Sequence, residues 1–336
     1  MNTILRIQNL HVYFDTVEGI VRANRGVNLD VRQNEVMGIM GESGCGKTVL
    51  FLSLLRLQQP GKIVQGSILF DGVDLTRLKE KDMQPIRGNK IALIPQDHAT
   101  ALNPSYTIEK QLLEVLAIRE NGGGYWQVWR GLRKMDRARA LAEIESVLEY
   151  LALGEAVHHD KLLKRYPHQL SGGIRQRILI AMALLANSRL IIADEPTTAL
   201  DRATQMETLD FIKSLRGKAT MLIISHDMDV ILETCDNVAI MYGGCIVERG
   251  PIGEVLENPK HPYSKLLISC QKLHRGQPLP AVSGDLQNLI DFPSGCSFHT
   301  NCPHAMPVCA EIQPQEHAIH GVTVSCHLFD KEGSYD

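Results

Sequence analysis

Hydrophobic and polar positions follow two rhythms along this chain. Four short apolar runs, Val36 to Met40, Lys90 to Ile94, Leu190 to Ala193 and Ala219 to Ile224, are bounded by polar residues or glycine. Runs of that length and composition predict strands buried on both faces. Longer stretches with apolar residues at helical spacing lie between them, and this order predicts an α/β fold with a mostly parallel core sheet. Segments around Ile4 to Phe14, Gly26 to Val31 and Gly66 to Phe70 are separated by short connections, which predicts a small antiparallel β subdomain instead. The stretch Ile108 to Gly154 has no comparable strand, and its Leu, Ile and Val spacing predicts a helical subdomain of two or more helices around the loop Asn121 to Gly124. After Gly250 the composition shifts to Pro, His and Cys, with Pro278 and Pro280 marking a linker before a small cysteine-rich extension.

Composition narrows the class. With 336 residues, 44% hydrophobic and 22% charged, the chain has enough apolar material for a large domain or a core with an appendage, and it is neither disordered nor collagenous. The longest apolar run, Ile178 to Ala186, is far below the ~20 residues of a membrane span. Met1 to Arg6 lacks a signal-peptide layout. The expectation is a chain that neither crosses a membrane nor is exported by itself. A net charge of -3 gives no global electrostatic reason to bind nucleic acid.

Gly41-Glu42-Ser43-Gly44-Cys45-Gly46-Lys47-Thr48 fits a phosphate-loop pattern, directly after the Val36 to Met40 run and before a helical run, Thr48 to Leu57. Glycines let the backbone fold into a nest of N–H donors, and the following helix N-terminus adds a positive dipole end. Lys47 then reaches the β- and γ-phosphates and Thr48 ligates Mg²⁺. The plainer alternative is a glycine turn with an incidental lysine.

A second element is Leu190-Ile191-Ile192-Ala193-Asp194-Glu195-Pro196, a hydrophobic run ending in two adjacent carboxylates. By itself such a pair is more often an exposed strand end or a helix cap. Beside a phosphate loop, Asp194 reads as a Mg²⁺ holder and Glu195 as the group that orients the attacking water, because phosphoryl transfer depends on positioning and charge stabilisation.

A third element, Leu170-Ser171-Gly172-Gly173-Ile174-Arg175-Gln176-Arg177, opens the helical run to Ala186. With the two elements above, the chain resembles the ATP-binding-cassette ATPases. The resemblance implies that Ser171 and the Gly172 and Gly173 amides contact the γ-phosphate of ATP held by a partner subunit; the plain reading is a helix N-cap. It further implies that Gln96 is the Q-loop glutamine, sensing Mg²⁺ and the attacking water. Ala199-Leu200-Asp201 then looks like the D-loop at a dimer interface, and Ser225-His226-Asp227 like the switch carrying the γ-phosphate-sensing His226. Phe14 is the first choice for the ring that stacks on adenine, with Tyr13 as competitor; either is equally a core residue of the early sheet.

That likeness runs from about Leu5 to Gly250 and narrows beyond it. Tyr242 to Pro251, Asn258 to Tyr263, Leu102-Asn103-Pro104 after Gln96-Asp97, and the cysteine tail look like the oligopeptide/dipeptide importer ATP-binding subunits, a group that also covers nickel. Ile174, where the family often has Met, and His98-Ala99 in the Q-loop segment are small departures.

Cys296, Cys302, Cys309 and Cys326 crowd the last fifth of the chain, whereas Cys45, Cys235, Cys245 and Cys270 are scattered and read as plain buried thiols. Four clustered thiols suit zinc or an iron–sulfur cluster, and the absence of closely paired cysteines tilts the spacing toward a cluster. Some members of the resembling group carry a [4Fe-4S] cluster here. Zinc, free thiols and disulfides remain the alternatives.

The resulting expectation is an ATPase subunit of a membrane importer for oligopeptides, dipeptides or a related solute, peripheral at the cytoplasmic face of the cell membrane, with ATP and Mg²⁺ as cofactors. Its expected partners are a homologous second ATP-binding subunit in a heterodimer, two transmembrane permease subunits, and a solute-binding protein acting through the complex, with no nucleic acid. The expected division is a cassette over residues 1–255, with the helical subdomain inserted at about 100–187, and an extension over 256–336 with its cysteines at 296–326. The rival is a non-transport cassette ATPase acting on nucleic acid or ribosomes, whose usual long arms, zinc modules or second cassette are not seen in this sequence. A regulator without hydrolysis conflicts with the set Lys47, Asp194, Glu195 and His226.

Overall fold

Alternating side chains on β1 (Thr3–Thr16) and β2 (Gly19–Arg32) bury Leu5, Ile7, Leu10 and Val12 against Val27, Leu29 and Val31. Each such side chain contributes on the order of 1.5–3 kcal/mol when removed from water. In this computed structural model, residues 2–122, 124–151, 153, 161–198, 202–271, 290 and 294–330 are described. They divide into two compact units, Met1–Thr76 with Ile224–Asp336, and Arg77–Ile223.

In the first unit, β1 pairs antiparallel with β2 and with β4 (Lys62–Phe70), and β5 (Val73–Asp74) follows β4. The antiparallel β subdomain is therefore present, with longer strands than the sequence suggested. Asn9 is the reason the alternation breaks: its φ of 46° puts one residue in the left-handed region, and the register shifts between Ile7 and Leu10. Such a bulge changes which face the following side chains occupy.

The unit's other strands run in the order β11 (Glu316–Ile319), β12 (Val322–Ser325), β10 (Cys245–Pro251), β9 (Asn237–Tyr242) and β3 (Val36–Met40). β3 (Val36–Met40) is buried throughout and pairs parallel with β9 (Asn237–Tyr242). β9 turns through Gly243 and Gly244, both at positive φ, into antiparallel β10 (Cys245–Pro251). Paired positive-φ residues suit a two-residue hairpin turn. The hairpin β11 (Glu316–Ile319) and β12 (Val322–Ser325) then joins β10 through Glu248 opposite Val324. The last part of the chain thus extends the sheet that carries the phosphate loop.

In the second unit, β6 (Ile91–Ile94) pairs parallel with β7 (Leu190–Asp194), and β8 (Met221–Ile224) lies next to β7 in strand order. The helical insertion is present as Ile108–Asn121, Tyr125–Lys134 and Arg137–Tyr150. Thr107 accepts a hydrogen bond from Lys110 N, and Asp136 accepts from Ala138 N and Arg139 N, so two of these helices begin on side-chain caps. Among the described residues no helix is long and apolar enough to cross a membrane. Asp201, with its neighbours Ala199 and Leu200, and the Pro278/Pro280 linker lie outside the described residues.

Candidate functional site

β3 ends at Met40, and the chain turns at once into the loop before the helix Lys47–Leu54. Two glycines make that turn possible. A Cβ on Gly41, at φ 154°, would lie 2.2 Å from the Met241 carbonyl oxygen, and one on Gly46, at φ 102°, would lie 2.2 Å from that of Ala23. Both positions demand a bare backbone. Asn24, fully buried on β2, donates from its side-chain amide to the Gly46 carbonyl at 3.1 Å and braces the loop. Gly44 and Ser43 sit at the exposed outer turn, and nothing lies within 4 Å of a Cβ placed on Gly44.

Lys47 is buried, and its ammonium donates to the carbonyl oxygens of Gly41 (2.7 Å) and Glu42 (2.8 Å), and more weakly to Cys45 Sγ (3.8 Å). The loop is wrapped around its own cation. Burial pushes the Cys45 thiol above its ordinary value, against the opposing pull of Lys47. Thr48 is exposed in the first turn of the helix. The helix stops at Leu54, short of the expected Leu57, where Arg56 takes a φ of 52°.

Ser225 N donates to Ile39 O at 3.3 Å, which sets the Ser225-His226-Asp227 stretch beside the end of β3. His226 is exposed there, its carbonyl accepts from Gln271 Nε2 at 2.6 Å, and Asp227 caps the helix Met228–Thr234 by accepting from Asp229 N. The structure therefore brings His226 and the phosphate loop to the same strand end. Phe14 is half-buried, and its ring edge would be 2.6 Å from a Cβ on Gly61; Tyr13 bonds its hydroxyl to His11 Nδ1 at 3.1 Å.

The second unit holds the other expected residues. Asp194 is the last residue of β7, and Glu195 follows with φ 50°; both are buried. A left-handed glutamate is uncommon, and such conformations concentrate at functional sites. The Glu195 carboxylate accepts from Thr198 Oγ1 at 3.1 Å. Gln96 is exposed just after β6. Ser171 is the N-cap of the helix Gly172–Leu185, its hydroxyl accepting from Ile174 N at 3.4 Å, with Gly172 and Gly173 in the first turn. The capping geometry of the plain reading is thus present at Ser171. Thr48, Gln96 and Asp194 offer a hydroxyl, a carboxamide and a carboxylate, hard oxygen donors of the kind Mg²⁺ takes.

Among the described residues, nothing in the cysteine segment shows a closed metal centre. Cys296, Cys309 and Cys326 are buried and Cys302 is half-buried. Burial pushes the Cys296 thiol up to about 12 and the Cys326 thiol to about 11, with the neighbouring thiols adding to both. Yet among the described residues no three His, Cys, Asp or Glu side chains are arranged to hold an ion. Two interleaved histidines have protein partners: His327 bonds Asp330 Oδ2 at 2.7 Å and Ile312 O at 2.8 Å, and His299 bonds Cys296 O at 2.8 Å. The structure supports neither the expected iron–sulfur cluster nor zinc in this segment.

Sequence reading gave no role to Asn24 or to Tyr263. Asn24 is one polar side chain within an alternating strand, and Tyr263 acquires a partner only through the fold: the Glu42 N–H donates to its hydroxyl at 3.2 Å.

A glycine loop and lysine between a buried strand and a helix define a phosphate-loop nucleotide-binding protein. Residues 24–198 match the family described as ABC transporter, and residues 247–309 match the oligopeptide/dipeptide transporter, C-terminal region. The dipeptide transport ATP-binding protein DppD of Bacillus subtilis is 40% identical, over 100% of this chain and 97% of its own length. The oligopeptide transport ATP-binding protein OppD of Escherichia coli is 36% identical, over 97% of this chain and 93% of its own. Among solved structures, the dimeric bacterial ABC transporter cassette MJ0796 superposes with a TM-score of 0.63 at 25% identity, covering 74% of this chain and 98% of that one. The chain belongs to the ABC transporter family and is an ATPase of that class.

Proposed function

We propose that this protein is the ATP-hydrolysing subunit of a membrane importer for oligopeptides, dipeptides or a related solute. The observation that carries this reading is the union, in one chain, of the Gly41–Thr48 loop and a C-terminal stretch of the oligopeptide/dipeptide transporter type. Its expected place is the cytoplasmic face of the membrane, held by two permease subunits, with a homologous second ATPase subunit completing a heterodimer and a solute-binding protein delivering the cargo. In this reading residues 1–255 form the cassette, with its helical subdomain at about 100–187, and 256–336 the extension.

ATP enters at the loop. Lys47 exchanges its bonds to the Gly41 and Glu42 carbonyls for the β- and γ-phosphate oxygens. The amides of Ser43, Gly44, Cys45 and Gly46 surround the β-phosphate, and Phe14 stacks on the adenine. Thr48, Gln96 and Asp194 would hold Mg²⁺, which neutralises charge developing on the phosphates. Glu195 orients the attacking water, and His226 and Gln96 sense the γ-phosphate. Ser171, Gly172 and Gly173 reach across to the nucleotide of the partner subunit, with Asp201 at that interface. ATP and ADP then bind the closed and open dimers with different affinity, and that difference moves the permease. The cysteine segment enters only as the candidate seat of a [4Fe-4S] cluster; its support is the thiol set alone, and iron and sulfide content decide it.

Transport into vesicles containing the assembled complex tests the reading. Peptide uptake is expected to require ATP and to fall to background with Lys47→Ala, together with a large loss of ATP affinity. Uptake that persists in that variant contradicts it.

A further inference from the structure

The Tyr263 side chain comes from the helix Pro262–Gln271, far along the chain from the phosphate loop, yet its hydroxyl accepts the Glu42 N–H at 3.2 Å. Its ring is 1% exposed and packed between two others: Tyr242 at 4.4 Å and Phe298 at 5.5 Å between centroids, with Tyr242 and Phe298 themselves 5.2 Å apart. Tyr263 N donates to His261 Nδ1 at 3.0 Å, which pins the backbone beneath the ring. Each neighbour leads somewhere specific. Tyr242 ends β9 directly after Met241, whose carbonyl limits Gly41, and Phe298 follows Cys296 by two residues in the cysteine segment.

We propose that Tyr263 is a positioning residue for the nucleotide site: its hydroxyl fixes the first peptide of the phosphate loop, so that the C-terminal stretch sets the loop's grip on ATP. This rests on the loop binding ATP, as argued above. The loop must aim several amides at phosphate while its other polar groups find protein partners. The Gly41 and Glu42 carbonyls have Lys47, and the Glu42 N–H has Tyr263. Without the hydroxyl that N–H has no such acceptor, and the peptide is free to rotate away from the conformation that presents its successors to phosphate. Burial raises the Tyr263 hydroxyl far above its ordinary value, so the contact stays the same across the working pH range.

Tyr263→Phe keeps the ring stack and removes only the hydroxyl. Assayed in the full complex, it is expected to raise the KM for ATP roughly threefold to tenfold while kcat stays within about twofold. Tyr242→Phe, which touches the same rings but not the loop, is expected to leave KM unchanged. An unchanged KM in Tyr263→Phe, or equal rises in both variants, overturns the proposal. Hydrogen exchange in the nucleotide-free wild-type chain gives a reading that needs no variant: the Glu42 amide is expected to be protected, and exchange at the unprotected rate overturns the assignment. A wild-type chain that fails to bind ATP refutes the nucleotide reading, whereas wild-type and Tyr263→Phe chains that bind ATP equally well refute this inference alone.

Discussion

His261 is 1% exposed, and burial holds its ring far below an ordinary histidine, to about 3. Its Nδ1 accepts from Tyr263 N, so the neutral ring is the form the fold requires. In the unfolded chain the same ring takes a proton near its ordinary value of 6.5. As the pH drops below that value the unfolded state binds a proton the folded state refuses, and stability falls until about pH 3. The slope approaches about 1.4 kcal/mol per pH unit for one proton. His261→Asn keeps an acceptor for Tyr263 N and cannot titrate; denaturant melts between pH 4 and 7 are expected to show a shallower acid decline than wild type. At this scale the phosphate loop was fully legible in sequence, because its glycines are required by local geometry. Tyr263 and Asn24 were not, because what they do depends on partners brought near only by folding.

Arg119 ties two helices of the insertion to each other and to the helix Gly172–Leu185. Its guanidinium donates to both Glu143 carboxylate oxygens, at 2.5 and 3.0 Å, and to the Leu185 carbonyl at 2.9 Å. The hydrogen bond from Arg119 holds the Glu143 carboxyl below the ordinary carboxylate range. A lowered folded value means the pair contributes above that range and its contribution is lost as the pH falls through it. Both groups are partly exposed, so Arg119→Ala is expected to cost about 1 kcal/mol at neutral pH, with less further loss on acidification than wild type. Urea titrations at pH 7 and pH 4 measure both. Among the elements, β3, β6, β7 and β8 could be read from sequence because strands buried on both faces are unbroken apolar runs. β1 was read nearly whole, through the bulge at Asn9, whereas β2 was read too short, because its first residues, Gly19 to Arg22, are not buried and Ile20 is exposed. The hairpin β11 and β12 was missed because only alternate residues of β12 are buried and its partner β10 lies far away in the chain.

At the scale of the molecule, each unit carries part of one chemical inventory. The first has the phosphate loop and His226; the second has Gln96, Asp194, Glu195 and the Ser171 helix start. The family and the α/β fold were readable in advance because short motifs with strict backbone requirements fall in a set order along the chain. The cluster expected in the cysteine segment has no comparable support. Thiol spacing alone does not say how the sulfurs are arranged about an ion, and two of the histidines in this segment, His299 and His327, are bonded to Cys296, Asp330 and Ile312. The most direct test of the account is single-turnover hydrolysis by the assembled complex carrying Glu195→Gln. The substitution keeps the shape of the side chain and removes its charge. The account predicts retained ATP binding with hydrolysis slowed by at least about 100-fold, the size of effect a positioned catalytic carboxylate supplies; hydrolysis at the wild-type rate would contradict it.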